Sequence, residues 1–350
     1  MPESDVLVEI KDLHTYFYLT EGVVQAVDGA DLTIRRGKTL GVVGESGCGK
    51  SITSLSLLRL VPQPGKIVSG EILYYRPVAK DTSSESVDIV RIDKLDPKGS
   101  EIRHIRGNQI SMVFQEPMTA MSPVRTIGQQ ITEVIMLHQQ VNKREARKRA
   151  IDMLARAKMS RPEKVIDDYP FQLSGGMRQR AVIAMALSCH PNLLIADEPT
   201  TALDVTTEAQ ILDLMRTLQN DLGMAIMYIT HNLGVIAEMA EEVAVMYMGK
   251  VVEQADINSI FFSPKHPYTQ ALLSSIPHLD ETITHVNRSR RLNVIKGMVP
   301  DPYHRLKGCT FYPRCPMMIP NICDQVEPKN VTVGPGHMTR CHLYHDEAGA

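Results

Sequence analysis

The run TLGVVGESGCGKSITSLSLLRLV, Thr39 to Val61, changes character twice. It opens as a short apolar stretch ending in glycine, the pattern of a buried parallel strand. From Ser51 onward it has helical spacing, and it stops at PQPG, residues 62–65. Between the two lies GESGCGKS, Gly44 to Ser51, which fits G-x-x-x-x-G-K-[ST]. In such a loop the glycines let backbone N–H groups curl around the β- and γ-phosphates of a nucleotide. The helix N-terminus adds positive potential. Gly44, Glu45, Ser46, Gly47, Cys48 and Gly49 are therefore expected to cradle phosphate. Lys50 is expected to reach the β- and γ-phosphates, and the Ser51 hydroxyl to bind Mg²⁺. A glycine turn of purely structural use is the alternative, and the strand before and helix after argue against it.

A second stretch supplies what the loop lacks. LLIADEPT, Leu193 to Thr200, is an apolar strand ending in two acids. Alone it is a weak signal. Beside a phosphate loop it assigns Asp197 to the Mg²⁺ side of the phosphates and Glu198 to the attacking water, the division of labour phosphoryl transfer needs.

Working outward, residues 6–45 read as β-rich, with VLVEIKDL alternating and ADLTI following it. DTSSES, Asp81 to Ser86, is small and polar and reads as an exposed insertion. From about Met118 to Arg180 the pattern is helical. The basic run KREARKRA, from Lys143, reads as a solvated helix face rather than a binding patch. NLLIAD and MAIMYIT have strand length, and each precedes a polar loop that begins a helix. VAVMYM, GK and VVEQA read as a hairpin. After about Asp256 the chain turns rich in proline, histidine and cysteine, and a domain boundary is expected there.

The totals narrow the class. The chain has 350 residues, 43% hydrophobic, with 38 basic against 40 acidic side chains. That is enough for a large core. It is not the basic balance of a nucleic-acid binder, and no nucleic acid is expected as partner. The N-terminus MPESDVLVEI lacks the basic and apolar regions of a secretory signal. No apolar run reaches the roughly 20 residues that cross a bilayer. AVIAMALSC is too short and reads as buried helix. A cytosolic protein is expected, which must dock on other chains if it works at a membrane. NRS at Asn287 then matches a glycosylation acceptor by chance.

Five motifs now stand in order: GESGCGKS, VFQEP, LSGGMRQR, LLIADEPTTALD and YITHN. Together they resemble the ATP-binding subunit of an ABC transporter over residues 6–255, with LSGG, from Leu173, close to diagnostic. The resemblance implies an α/β P-loop fold. It has a RecA-like core, an N-terminal antiparallel β region, a helical subdomain at about 118–180 and, here, a small Cys/Pro-rich C-terminal extension at 256–350. It implies two such domains dimerising head to tail, so that Ser174, Gly175 and Gly176 grip ATP held by the partner's loop. It makes Gln115 the Q-loop glutamine touching Mg²⁺ or water, and Asp204 the D-loop aspartate at the dimer interface. His231 becomes the switch histidine that contacts the γ-phosphate and orients Glu198. Phe17 in HTYFYL is expected to stack on adenine, with Tyr16 as rival.

HPYTQALLSSIP, from His266, and KGCTFYPRCPMMIPNICDQVEP, from Lys307, resemble the extension of oligopeptide/dipeptide import ATPases. This implies two transmembrane permease subunits, a second ATP-binding subunit that is often a paralogue, and an external solute-binding protein. The place of work is the cytoplasmic face of the cell membrane, as a peripheral subunit. Peptides, nickel and oligosaccharides all remain open as cargo. An exporter ATPase, or a non-transport ABC ATPase of DNA repair or translation, is the alternative.

Cys48 and Cys189 are isolated and read as small buried hydrophobes. Cys309, Cys315, Cys323 and Cys341 are spaced C-x₅-C-x₇-C-x₁₇-C. Structural zinc sites usually offer closer pairs. Four thiolates with Pro316 after Cys315 suit a [4Fe–4S] cluster, and the family resemblance points the same way. Zinc and free thiols stay open, as does His342 as an alternative ligand. Such a metal would staple a tail that has little core of its own.

Overall fold

In a computed structural model, strand β3, Thr39–Val43, is buried at every position, and the molecule is built around it. The structure describes residues 5–77, 87–115, 120–201, 203–275, 295–304 and 306–345. The polar stretch at 81–86, Glu116 and Pro117 of VFQEP, Ala202 of TALD and the Asn287 sequon lie outside the described residues.

Two sheets make up the fold. Strands β1 (Val6–Leu19), β2 (Gly22–Arg35), β4 (Gly65–Pro77) and β5 (Val87–Arg91) form an antiparallel sheet ordered β2-β1-β4-β5. The larger sheet adds β6 (Ile110–Val113), β7 (Leu193–Asp197), β8 (Ala225–Ile229), β9 (Glu242–Tyr247), β10 (Lys250–Asp256), β11 (Val331–Gly334) and β12 (His337–Thr339). Its order is β11-β12-β10-β9-β3-β8-β7-β6. Pairing is parallel from β9 through β3, β8 and β7 to β6, and antiparallel beyond β9. The β9–β10 hairpin stands where the sequence places it.

Alternation along the central strands explains the layering. On β7, Leu194 and Ala196 enter one core, whereas Leu193 and Ile195 enter the other. On β8, Ile226 and Tyr228 face the first, and Ala225, Met227 and Ile229 the second. The first core takes in most of the helices, and the second takes in the antiparallel sheet with helices 50–57 and 100–105. A slip of one residue would exchange the two sets, so two buried faces pin the register. Burial of one such side chain stabilises by about 1.5–3 kcal/mol.

Helices occupy 127–138, 143–156 and 162–165 within the predicted helical stretch, and helix 175–187 begins inside it and runs past its end. Helix 143–156 buries Ala146, Ala150, Met153 and Leu154 on one face. Its basic side chains lie outward, where Arg149 meets Glu145 at 3.0 Å and Arg147 meets Asp167 at 2.8 Å. KREARKRA is thus a solvated face, as its spacing predicts. No helix among the described residues is long and apolar enough to cross a membrane.

The C-terminal extension is joined to this framework. Strand β12 pairs with the last strand of the hairpin, Glu253 opposite Thr339 and Gln254 opposite Met338. Buried Lys250 donates to Asp28 Oδ2 at 2.8 Å and to Glu327 Oε1 at 2.7 Å. Arg340 reaches the Gly29 carbonyl at 2.9 Å. Burial alone would raise the Asp28 carboxyl, but bonds from Lys250, Tyr16 and His14 hold it down at about 2.

Candidate active site

The loop after β3 can be made only with glycine at two points. Gly44 has φ 155°, and a Cβ there would lie 2.2 Å from the Met246 carbonyl oxygen. Gly49 has φ 100°, and its Cβ would lie 2.3 Å from the Ala26 carbonyl oxygen. Backbone from β2 and β9 therefore closes against the loop on two sides. Helix 50–57 follows at once, so the backbone donors of its first turn face the loop interior. Lys50, only 6% exposed, donates to the carbonyls of Gly44 at 2.7 Å and Glu45 at 3.1 Å. Cys48 is buried in the loop, and burial raises its thiol pKa. Cys189 is buried too, as expected of both isolated cysteines.

Strand β7 delivers the acids. Asp197 is 4% exposed, and its Oδ1 has no hydrogen-bond partner among the described residues. Burial raises its pKa, against a hydrogen bond from Ser51 that lowers it. A buried carboxylate oxygen left unpaired beside a hydroxyl is a donor set that suits Mg²⁺, a hard cation with oxygen ligands. Glu198, next along, turns the other way, with φ 46° in the left-handed region. Its Oε2 accepts from Gln115 Nε2 at 3.0 Å and Thr201 Oγ1 at 3.1 Å. Its Oε1 lies 3.0 Å from His231 Nδ1. Burial opposes ionisation of Glu198, but His231, Thr201 and Lys50 prevail and hold its pKa below the usual value. The structure thus brings Gln115, Glu198 and His231 together, with Gln115 on Glu198 rather than on Asp197. Thr201, a further partner of Glu198, was not singled out by the sequence reading, since a threonine in a loop carries no signal of its own.

Ser174 caps helix 175–187, its side chain accepting from Met177 N at 3.3 Å. A Cβ on Gly176 would meet Thr207 Cγ2 at 2.7 Å, and one on Gly175 would meet Leu203 at 3.7 Å. Thr207 lies in helix 205–222, which Asp204 caps by accepting from Thr207 N at 2.9 Å and Thr207 Oγ1 at 2.8 Å, and Leu203 directly precedes that cap. Ser174, Gly175 and Asp204 are exposed. The signature and the D-loop aspartate thus form one outward-facing patch.

At the end of β1, Thr15 bonds Ser56 of helix 50–57 at 2.9 Å. Tyr16 spends its hydroxyl on Asp28 at 2.7 Å. Phe17 is half-buried against Gly65, where a Cβ would come within 2.7 Å of its ring.

The tail cysteines require a correction. The four thiols lie near enough to affect one another, and burial followed by the other three thiols pushes Cys309 up to about 12. Burial likewise pushes Cys341 up to about 11. Yet among the described residues no three His, Cys, Asp or Glu side chains are placed to hold a metal. Neither the [4Fe–4S] cluster nor its zinc alternative finds support, and His342 instead faces the Val326 carbonyl at 2.8 Å. Spacing along the chain brought the thiols together without setting their side chains around one point.

Comparison with known proteins identifies the family. A family model described as ABC transporter matches residues 27–201, and one described as oligopeptide/dipeptide transporter, C-terminal region, matches residues 252–323. The oligopeptide transport ATP-binding protein AppD of Bacillus subtilis (strain 168) is 47% identical over 97% of this chain and 98% of its own. The probable peptide ABC transporter ATP-binding protein y4tR of Sinorhizobium fredii is 45% identical over 97% and 96%. Among solved structures, the ATP-binding cassette MJ0796, as a post-hydrolysis dimer bound to ADP and Pi, aligns with TM-score 0.60 and 27% identity. The match covers 72% of this chain and 99% of that one. The chain belongs to the ABC transporter ATPases, within the group that carries the oligopeptide/dipeptide transporter C-terminal region.

Proposed function

We propose that this chain is the ATP-hydrolysing subunit of a peptide importer and works as half of a head-to-tail pair. The observation that carries the chemistry is Glu198, held ionised by His231 and Thr201 beside buried Asp197 and the phosphate loop. Loop N–H groups and Lys50 bind the phosphates. Ser51 and Asp197 would hold Mg²⁺, which supplies charge neutralisation at the β- and γ-oxygens. Glu198 polarises the attacking water. His231 fixes the Glu198 carboxylate and is aimed at the γ-phosphate, and Gln115 holds the other carboxylate oxygen. Phe17, half-buried at the end of β1, stacks on adenine.

Ser174 to Gly176 serve the partner's nucleotide. Their helix-start donors and Ser174 hydroxyl face outward with Asp204, and their close neighbours are Leu203 and Thr207 rather than their own loop. The second ATP-binding subunit is read as a paralogue. Two permease subunits would dock at the groove of about 430 Å³ lined by Phe114, Ala120, Val134, Val182, Met185 and Ala186, which adjoins Gln115. Phe114 is 41% exposed there, as an apolar contact for another chain would be. The subunit would then work at the cytoplasmic face of the membrane. Peptide cargo, delivered by an external binding protein, rests on the relatives' names and on the matched C-terminal region.

Uptake by the reconstituted complex tests this reading. Labelled di- or oligopeptide should accumulate with ATP and binding protein present, and not when Lys50→Ala replaces the parent chain. Uptake of nickel or oligosaccharide but no peptide would overturn the cargo. Export would overturn the direction.

A further inference from the structure

The sequence reading places the tail outside the ATP machinery, but two tail residues grip the phosphate loop. Arg314 Nη1 donates to Glu45 Oε2 at 2.7 Å and Nη2 to Glu45 Oε1 at 3.0 Å, a two-bond fork. The Arg314 side chain is 4% exposed. It also reaches the Tyr247 hydroxyl at 3.3 Å and, through Nε, the Lys296 carbonyl at 3.2 Å. The Glu45 backbone N–H donates to the Tyr268 hydroxyl at 3.0 Å. Tyr268 is fully buried, 4.6 Å from the Tyr247 ring and 5.3 Å from that of Phe311. Glu45 is thus held at its side chain and its backbone, while its carbonyl takes the Lys50 ammonium at 3.1 Å.

We propose that the C-terminal extension positions the phosphate loop, with Arg314 and Tyr268 as the positioning residues. The proposal rests on ATP binding at Gly44–Ser51. Two consequences follow. A change at Glu45 shifts a carbonyl that locates Lys50. And without Arg314 the Glu45 carboxylate stands unneutralised beside a bound polyanion, in a setting where charge is poorly screened. Such a pair, forked and sheltered, is worth more than an exposed one.

The test uses the full chain, with Mg-ATP affinity by equilibrium dialysis and steady-state hydrolysis in the assembled transporter. Arg314→Gln should weaken ATP binding and raise KM by about tenfold, with kcat changed by less than about threefold. The double variant Arg314→Gln/Glu45→Gln should recover most of that loss, because it removes the stranded carboxylate; a tail that merely docks would gain nothing from the second change. Arg314→Lys should fall between. Tyr268→Phe, which keeps the ring and the net charge, should raise KM by about threefold. Folding is followed by thermal melts. A folded Arg314→Gln chain whose KM stays within about twofold of the parent, or a double variant no better than the single, overturns the proposal. If Arg314→Gln does not fold, unchanged KM in both Arg314→Lys and Tyr268→Phe overturns it. Lys50→Ala is the control: if that chain binds ATP as the parent does, the nucleotide site itself has been misread.

Discussion

Gly44–Ser51 and Ser174–Gly176 are both glycine-bearing starts of helices, and the structure treats them in opposite ways. The first is enclosed. Backbone from Ala26 and Met246 packs on Gly49 and Gly44, Lys50 is buried, and Arg314 and Tyr268 hold Glu45 from behind. The second is open. Ser174 and Gly175 are exposed, and the next helix, at Thr207, backs Gly176. A helix start offers anion-binding donors in either case. The enclosed one is complete within the chain up to the γ-phosphate, and the open one is a surface that awaits something. One half of a shared site per chain, used in opposite directions, accounts for both.

The largest effect belongs to the enclosed half. Glu198→Gln removes the charge that polarises water while Asp197 and Ser51 stay in place. Hydrolysis by the assembled transporter should fall by about a hundredfold or more, with Mg-ATP binding retained. Turnover above half that of the parent would take Glu198 out of its role.

The enclosure itself is stabilised from outside the motifs. Asp28 N donates to the Gly249 carbonyl and Gly249 N to the Cys48 carbonyl, each at 2.9 Å, and Lys250 ties the Asp28 side chain in place. The Asp28 carboxyl is lowered from 3.8 to about 2 in the folded chain. A depressed acid stabilises above its unfolded value, and that contribution is lost as pH falls through the folded one. Asp28→Asn should therefore cost about 2 kcal/mol near neutral pH. The difference from the parent should shrink as the pH falls from about 4 toward 2, followed by denaturant melts. A constant difference across that range would mean that the charge is not what Asp28 contributes.

The open half should tolerate more. Gly176→Ala brings a Cβ to 2.7 Å from the methyl of Thr207, whose hydroxyl is tied to Asp204 at 2.8 Å, so the Asp204 cap must give with it. Stability should fall by about 1 kcal/mol, and the chain's own ATP affinity should not change. Loss of nucleotide binding in this variant would mean that the signature touches its own nucleotide.

What could be read along the chain follows from the same contrast. The strand, loop and helix around Lys50, the acids of β7 and the hairpin after β9 are local patterns, set by a few neighbouring residues. The backing of the loop is not local. Glu45 and Arg314 are 269 positions apart, and Asp28 and Lys250 are 222 apart. An ion pair of that separation leaves no periodicity, and Arg314 lies among the tail cysteines that spacing directed toward a metal. Nor does an irregular tail announce that β12 will extend the sheet at β10. The ATP motifs were legible because each is a chemical unit in itself, whereas their support depends on the finished fold.

Mixed dimers assembled in the transporter test the shared site most directly. Lys50→Ala and Ser174→Arg are placed either together in this chain, beside an unaltered paralogue, or separately, with Lys50→Ala in this chain and the matching signature change in the paralogue. If each ATP is held by one subunit's loop and the other subunit's signature, the separated arrangement keeps one intact site. The combined arrangement keeps none. The account predicts ATP hydrolysis near half of the parent level in the separated dimer and background in the combined one. The reverse pattern, activity in the combined dimer and none in the separated one, would show that the signature serves its own nucleotide and would contradict the account.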